Sequence, residues 1–323
     1  MKIQYYLYFI LSSVLHALSA PKKNTVGGQA IIEGVMMRGK NKISWAVRKN
    51  PQEVIIEHED FESIIKKYPF LKTPVIRGAI NLYESLVIGF KALSRSAEIA
   101  EAEISAQSGS KEKKVNPVLE KLYSFLSLSL SLVIMLGLFM YAPMWIFSNF
   151  VPKDSALLFN ILAGVFRIIL FLGYLYLISK WKEIRRVFEY HGAEHKAIFA
   201  FEDGKDLTLE NMKPYSTLHP RCGTSFLFLV GFICILLFSI VDALYISFFG
   251  PFPNVLSRFL IHIFLIPLVS GTSYEVLKLS DRYQNIAIVR TFIKPGLWLQ
   301  KITTKEPDRD QLEVASLALK AVL

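Results

Sequence analysis

Residues 224–249 read TSFLFLVGFICILLFSIVDALYISFF, an apolar run in which Asp242 is the only charged residue. An α-helix needs about 20 mostly apolar residues to cross the hydrocarbon core of a bilayer. This stretch is long enough, and three others have the same character, at residues 122–148, 156–179 and 255–277. Because the connections at residues 149–155 and 250–254 are short, we predict two helical hairpins that cross a membrane.

The composition agrees with this interpretation and excludes two other classes. Of the 323 residues, 52% are hydrophobic and 20% are charged, which is too apolar for a disordered chain or an ordinary soluble domain. The net charge of +10 is more typical of the cytoplasmic flanks of membrane spans than of nucleic-acid binding in such a chain. We predict a mainly α, polytopic membrane protein with four transmembrane helices, in contact with the lipid bilayer and without a nucleic-acid partner.

Basic residues are concentrated in the three long polar regions. Residues 21–121 carry 17 Lys and Arg, and residues 180–222 and 278–323 carry 8 each. Since basic loops stay on the cytoplasmic side, we predict that these regions are cytoplasmic and that the protein lies in the cell membrane.

The predicted organisation divides the chain into six parts. Transmembrane hairpins at 119–179 and 224–278 alternate with a small α+β cytoplasmic portion, which is made from residues 26–118, 180–223 and 279–323. Residues 1–25 form an atypical apolar extension. Its sequence MKIQYYLYFILSSVLHALSA resembles a short signal peptide, but cleavage would export the basic region that follows. An extra span, an interfacial segment or an upstream start codon remain as alternatives.

The glycine-rich segment 26–40, VGGQAIIEGVMMRGK, opens the cytoplasmic portion. It lacks the phosphate-binding patterns GxxxxGK[ST] and GxGxxG, so we predict that its glycines make positive-φ turns or close backbone approaches. Residues 43–49 and 53–61 are expected to be strands, and residues 78–103 a long helix. Glu33 and Arg38 could face a site that is formed with other loops.

The segment 189–225, EYHGAEHKAIFAFEDGKDLTLENMKPYSTLHPRCGTS, carries the most information about function. Its string HGAEH matches the H-x-x-E-H pattern of metalloenzymes. On a helix, His191 and His195 would share one face and could bind one ion. Glu194 would then accept a proton from the water that the metal activates. Gly192 argues against a helix at this point.

A second pair of candidate ligands follows in HPRCG. The H-x2-C spacing of His219 and Cys222 suits a chelating pair, and with His191 and His195 it completes a tetrahedral set. Four bound ligands would make a structural site, whereas a catalytic site keeps one position for water. The predicted cofactor is a divalent metal, most simply zinc. Arg221 would stabilise negative charge that develops during a reaction.

Alternatives remain open at this stage. The histidines could be hydrogen-bonding residues at the membrane interface, or a structural metal could serve a scaffold that binds other membrane proteins. Glu275 is a further candidate ligand. Charges within spans are often functional, so Arg167, Asp242 and His262 could serve a transporter. A structural Asp242–Arg258 pair is the preferred interpretation, because no internal repeat is evident.

Several blocks carry a family likeness. They are VGGQAIIEGVMMRG (26–39), RGAINLYESLVIGFKALSRSAE (77–98), EYHGAEHKAI (189–198), HPRCGTSF (219–226) and PGLWLQKITTKEPDRDQLEVASLAL (295–319). In this order they resemble the YqhQ-like family of uncharacterised bacterial membrane proteins, domain of unknown function 1385. The resemblance spans about residues 25–323. It implies a membrane fold and a metal-dependent enzyme, without a substrate.

The end of the chain reads as an amphipathic tail. We expect Asp310 to cap a helix, with Glu313 three residues on, and the apolar positions of this helix to dock on the other cytoplasmic segments. The leading interpretation of the whole sequence is a metal-dependent, hydrolase-like enzyme at the cytoplasmic membrane face, with Glu194 as its general base.

Overall fold

The computed structural model of the chain describes residues 26–108, 117–283 and 286–323. The apolar extension 1–25, and with it the question of a signal peptide, lies outside the described residues.

The first described elements are the strands of an antiparallel sheet in sequence order. They are β1 (Gly27–Ile31), β2 (Gly34–Arg38), β3 (Lys42–Asn50) and β4 (Glu53–Asp60). The register places Val35 opposite Ala46 and Val47 opposite Ile55. The two strands predicted from alternating β-branched and polar residues are β3 and β4, and the glycine-rich segment supplies the other two.

The glycines of this segment do not make positive-φ turns. Among the described residues, the glycines with positive φ are Gly204 and Gly250, so that part of the prediction is wrong. The alternative of a close backbone approach holds at Gly34, where a Cβ would collide with the carbonyl oxygen of Ala46 on β3. In the β1–β2 turn, Glu33 adopts the left-handed conformation, with φ of 50°.

The helices are α1 (Ile64–Lys67), α2 (Ile76–Ser108), α3 (Pro117–Leu136), α4 (Ala142–Ser148), α5 (Ala156–Ile178), α6 (Lys182–Glu202), α7 (Leu209–Met212), α8 (Gly223–Phe249), α9 (Val255–Phe264), α10 (Ile266–Arg282), α11 (Ala287–Thr303) and α12 (Arg309–Lys320). A π-helical turn, Gly137–Tyr141, connects α3 to α4. Helix therefore dominates the described chain, and the sheet is small.

Three helical stretches are long and apolar enough to cross a membrane. They are Leu122–Ser148 in α3 and α4, Ala156–Ile178 in α5, and Phe226–Phe249 in α8. Helices α9 and α10 make a fourth if a pair bent by 47° counts as one span. The bend lies at Leu265, near Pro267, which lacks an N–H and clashes with the preceding turn. We call these four the candidate spans.

The sheet lies between two layers of helix. Val35, Met37 and Ala46 belong to an apolar core shared with α6 and α12. On the opposite face, Met36 and Trp45 pack in a second core with α2. Strand β2 is apolar on both faces because both are covered. The predicted docking of the tail is confirmed, since the apolar side chains of α12 are buried in the first core.

Helix α12 begins earlier than predicted. Its N-cap is Asp308, whose carboxylate accepts a hydrogen bond from the Gln311 N–H at 2.8 Å, while Gln311 Oε1 accepts one from the Asp308 N–H at 2.9 Å. This is a capping box in which glutamine takes the place of glutamate. Asp310 falls in the first turn, and Glu313 pairs instead with Arg48 at 2.5 Å.

A buried polar cluster holds the candidate spans together. The Asp242 carboxylate accepts hydrogen bonds from Arg258 Nη2 at 2.6 Å, His262 Nε2 at 2.9 Å and Asn160 Nδ2 at 2.6 Å. The guanidinium of Arg258 also lies 3.4 Å from the ring centre of Phe159. The predicted Asp242–Arg258 pair is confirmed. We call Asn160, Asp242, Arg258 and His262 the Asp242 cluster.

Candidate metal centre

The HGAEH string lies in the middle of α6, which continues through Gly192 without a break. Residues 189–202 of the segment 189–225 are therefore helical. Packing explains the glycine, because a Cβ at this position would collide with the carbonyl oxygen of Lys305. The helical spacing brings His191 and His195 side by side, with their ring centres 4.5 Å apart.

Backbone carbonyls orient both imidazole rings. His191 Nδ1 lies 2.8 Å from the carbonyl oxygen of Thr303, and His195 Nδ1 contacts the carbonyl oxygen of Thr217. Since a carbonyl can only accept a hydrogen bond, each Nδ1 carries a proton, and in the neutral form of the ring Nε2 then offers a lone pair. Metal-binding histidines are commonly held in this way by a partner on the other ring nitrogen.

Cys222 supplies a third ligand atom. Its Sγ lies 3.1 Å from His191 Nε2, and one ligand atom each from His191, His195 and Cys222 lie within 4.8 Å of one another. Cys222 is also the N-cap of α8 and accepts a hydrogen bond from the Thr224 N–H at 3.4 Å. Within residues 26–108, 117–283 and 286–323, these are the three side chains whose ligand atoms lie close enough together to hold one ion. We call them the metal group.

In the metal group, His195 and Cys222 are buried and His191 is partly buried. His195 is 1% exposed, and its Nε2 has no hydrogen-bond partner within the described part of the chain. A buried polar atom left in this way costs about 1–3 kcal/mol. Burial also lowers the pKa of His195, so the ring is neutral, as metal binding requires. Imidazole nitrogen and thiolate sulfur are preferred ligands of zinc, so the donor set fits a zinc-like ion.

Glu194 lies beside the metal group. Its Oε2 is 4.0 Å from His191 Nε2, and burial raises its pKa. The backbone of Gly28 on β1 partly offsets this rise, and a Cβ on Gly28 would come within 2.9 Å of Glu194 Cγ. Gly28 is thus a site residue, for which the sequence interpretation left open a turn or a close backbone approach. The sequence feature that could have indicated this role is the VGG string, which begins a block that resembles the family.

His219, the fourth predicted ligand, and Arg221, which was predicted to stabilise negative charge, lie outside the metal group. His219 Nε2 is 3.7 Å from Glu202 Oε2, and Arg221 forms an ion pair with the same carboxylate. The backbone of His219 is held by Gln300, which donates to its carbonyl at 2.8 Å and accepts from its N–H at 2.7 Å. The ring centre of His219 is 5.6 Å from that of His195. The structure therefore brings together three of the four predicted ligands.

Three further candidates from the sequence serve as ionic contacts elsewhere. Glu275 accepts hydrogen bonds from Arg77, one of them at 2.6 Å, which joins α10 to α2. Glu33 accepts from Arg186 at 2.5 Å, and Arg38 donates to a buried glutamate of α2 at 3.1 Å. None of the three is part of the metal group among the described residues.

A cavity of about 3220 Å³ lies beside the metal group. His191, Glu194, His195 and Cys222 line one part of it, and apolar side chains of α3, α5 and α8 line another. The potential ligands and the carboxylate therefore face a space that is large enough for a substrate.

Comparison with known proteins places the chain in a family. Residues 73–323, which include α6 and α8, match a family described as "Protein of unknown function (DUF1385)". The chain belongs to the DUF1385 family. This DUF1385 protein is similar to "Uncharacterized protein YqhQ" of Bacillus subtilis (strain 168). The two sequences are 34% identical over 303 residues, which cover 90% of this chain and 89% of the relative. No solved structure matches.

Proposed function

We propose that this DUF1385 protein is a metal-dependent, hydrolase-like enzyme with its site at the cytoplasmic face of the cell membrane. The observation that carries the proposal is the incomplete ligand set of His191, His195 and Cys222, beside the buried carboxylate of Glu194. Catalytic zinc sites have three protein ligands and an open position, whereas structural sites are closed by four.

Each residue would have a defined task. When bound, a zinc-like ion acts as a Lewis acid and makes water nucleophilic at neutral pH. The carbonyls of Thr303 and Thr217 keep the two imidazoles oriented. Glu194 accepts the proton of the attacking water and passes it to the leaving group. The backbone of Gly28 packs against the Glu194 side chain and would limit its movement, so that the carboxylate does not have to find its position in each turnover.

The location rests on the candidate spans and on charge. A basic cluster, Lys180, Lys182, Arg185 and Arg186, directly follows α5 and leads into α6. Basic residues at the end of a span favour the cytoplasmic side. This would place α6 and its histidines just outside the membrane, next to the end of α8 that carries Cys222.

The first test is the metal content of the full chain, purified in detergent without a metal-affinity tag. Elemental mass spectrometry should find about one equivalent of zinc, manganese or iron. In the His191→Ala/His195→Ala variant this should fall to about a tenth or less. His58→Ala is the matched control, because His58 is an exposed histidine on β4 and its loss should leave the metal content unchanged. A folded wild-type protein that holds no metal after reconstitution would overturn the proposal.

The second test separates catalysis from metal binding. Glu194→Gln keeps the size of the side chain, so the bound metal should remain. Hydrolysis of a panel of chromogenic esters, amides and phosphodiesters should fall by about 10²- to 10⁴-fold, the usual contribution of a general base. Glu202→Gln is the control, because Glu202 pairs with Arg221 outside the metal group. Full activity in Glu194→Gln would show that this residue is not the base.

A structural metal in a partner-binding scaffold is the second candidate. It is favoured by the burial of Cys222 and by its position, which would join the first turn of α8 to α6 through a shared ion. In this case, His191→Ala would destabilise the fold, and Glu194→Gln would change neither stability nor any cellular phenotype.

A further inference from the structure

The cavity beside the metal group continues between three candidate spans. On α8 its lining residues are Leu227, Val230, Gly231, Cys234 and Phe238. Their spacing of three or four residues places them on one face of the helix. Side chains of α5 and of the α3 segment, such as Phe171 and Met135, line the same space. A substrate at the metal group would therefore have an apolar channel next to its reacting bond.

The channel is at least as long as one leaflet of a bilayer is deep. Cys222, in the metal group, and Cys234, in the channel, are separated by about 18 Å along α8, at 1.5 Å of rise per residue. On α5, Arg167 lines the cavity and lies about 17 Å from the end of the helix at Ile178 by the same rule. The hydrocarbon core of a bilayer is about 30 Å thick. The apolar lining thus reaches the middle of the membrane at about the level of Cys234 and Arg167, and Gly164 and Phe238 continue it by about one further helical turn.

The polar part of the cavity favours an anionic head group. Lys40 and Lys278 both line it and are exposed. Of the acidic lining residues, Glu202 pairs with Arg221 and Asp203 accepts a hydrogen bond from a tyrosine at 2.8 Å, whereas Glu194 is the buried carboxylate beside the metal group. Paired carboxylates repel an anion less than free ones, whereas exposed lysines near a membrane surface attract anionic lipids.

We propose that the substrate is an anionic lipid of the inner leaflet, whose hydrocarbon chain lies between α3, α5 and α8 while its head group reaches the metal group. The reaction at the head group rests on the function proposed above, but the binding of the chain does not. Hydrolysis would consume one water: its oxygen bonds to the carbon or phosphorus of the lipid ester, and its proton goes through Glu194 to the alcohol that leaves.

The test uses full-length protein in nanodiscs that contain phosphatidylglycerol with a photoactivatable acyl chain. After irradiation, crosslinked peptides should map to the stripe of α8 that begins at Leu227 and to the facing residues of α5. Leu227→Trp fills the channel and should lower this crosslinking about tenfold, equivalent to about 1.4 kcal/mol. Leu244→Trp is the matched control, because Leu244 is exposed on the same helix and does not line the cavity. Its crosslinking should equal that of the wild type.

Four additional arms keep the result unambiguous. Val230→Phe repeats the experiment with a smaller change, in case Leu227→Trp does not fold as judged by size-exclusion chromatography. The His191→Ala/His195→Ala variant should retain lipid crosslinking although it has lost the metal, so that a failure of the enzyme proposal can be told from a failure of this one. Phosphatidylcholine with the same labelled chain should crosslink less than phosphatidylglycerol, and Lys40→Ala/Lys278→Ala should remove that difference.

Several outcomes would overturn the inference. One is equal crosslinking in Leu227→Trp and Leu244→Trp, which would mean that the lipid contacts only the outer surface of α8. Another is a disulfide between two copies of a Leu227→Cys variant, which would show that a second copy of the chain covers this face. A third is the absence of any preference for phosphatidylglycerol, which would remove the anionic head group from the proposal.

Discussion

The metal group and the Asp242 cluster are built from similar residues, but their polar atoms are satisfied in different ways. In the Asp242 cluster, the carboxylate accepts hydrogen bonds from three side chains, two of which can carry positive charge. In the metal group, His195 Nε2 has no partner among the described residues. The side chain of the neighbouring Glu194 packs against the backbone of Gly28.

This difference separates two uses of buried polar residues. A buried charge is tolerated when its partners lie within the protein, and a cluster of that kind holds helices together. Buried ligand atoms that face one another without saturating their hydrogen bonds favour an additional ligand. His262 Nδ1 also lacks a hydrogen-bond partner in the described chain. Among the described residues, however, His262 does not lie close enough to two other potential ligands to share an ion with them. The pairing of Asp242 therefore favours a structural role over a transport path.

The largest effect should come from breaking the Asp242 cluster. Asp242→Ala would leave Arg258 buried without its carboxylate, and the free energy of unfolding should fall by about 3–5 kcal/mol. Thermal unfolding in detergent measures this, and elemental analysis should find the metal content unchanged. Replacing both partners, as in Asp242→Leu/Arg258→Met, should recover much of the loss. If Asp242→Ala instead lost its metal at full stability, the two clusters would not be independent.

Metal removal should have a comparable effect through the other cluster. An ion at a thousandfold excess over its Kd stabilises the folded state by about 4 kcal/mol. Addition of a chelator should therefore lower the Tm of the wild type, and Cys222→Ala should show no such difference between metal and chelator. Asp242→Ala should keep the difference although its Tm starts lower. A chelator effect that persists in Cys222→Ala would remove this residue from the ligand set.

A smaller effect is expected for Asn160→Ala, which tests whether the partners of Asp242 act together. It removes a hydrogen bond of 2.6 Å to the carboxylate but leaves Arg258 and His262 in place. Hydrogen bonds to charged groups contribute about 1.5–3 kcal/mol, so the loss in unfolding free energy should stay within that range. A loss as large as that of Asp242→Ala would mean that the ion pair cannot form without Asn160.

The smallest expected effect concerns the support of Glu194. In Gly28→Ala, the new Cβ would lie 2.7 Å from the Met36 carbonyl oxygen and 2.9 Å from Glu194 Cγ. Overpacking of this kind lowers the free energy of unfolding by about 1–3 kcal/mol. Because Glu194 would also be displaced, the activation free energy of turnover should rise by more than this amount. Gly27→Ala is the control, since a Cβ there would meet nothing within 4 Å. Equal activities in the two variants would contradict the role given to Gly28.

Local patterns in the sequence predicted much of the fold. Apolar length alone marks the four stretches that form the candidate spans, because burial in lipid depends on the composition of a single segment. The spacing of His191 and His195 predicts their shared face, because four residues complete about one helical turn. Asp242 and Arg258 were paired because isolated charges within spans are costly.

Local sequence patterns could not predict the contacts between distant segments. Gly28 meets Glu194 across 166 positions of sequence, and nothing local distinguishes this close approach from a turn. His219 has the same residue type and spacing that a ligand needs, yet Gln300 on α11 holds its backbone and Glu202 faces its ring. Gly192 argued against a helix by propensity, although its real constraint is the backbone of Lys305. In each case tertiary packing outweighs the local preference.

The position of Cys222 at the start of α8 has a mechanical consequence. The two histidines belong to α6, so an ion shared with the sulfur would connect a helix outside the candidate spans to the end of one inside them. A change in the tilt of α8 would move the sulfur relative to the imidazoles and alter the affinity for the ion. By thermodynamic linkage, the ion would in turn favour one tilt. Because tilt adjusts to bilayer thickness, metal occupancy in such a protein would register the thickness of the surrounding membrane.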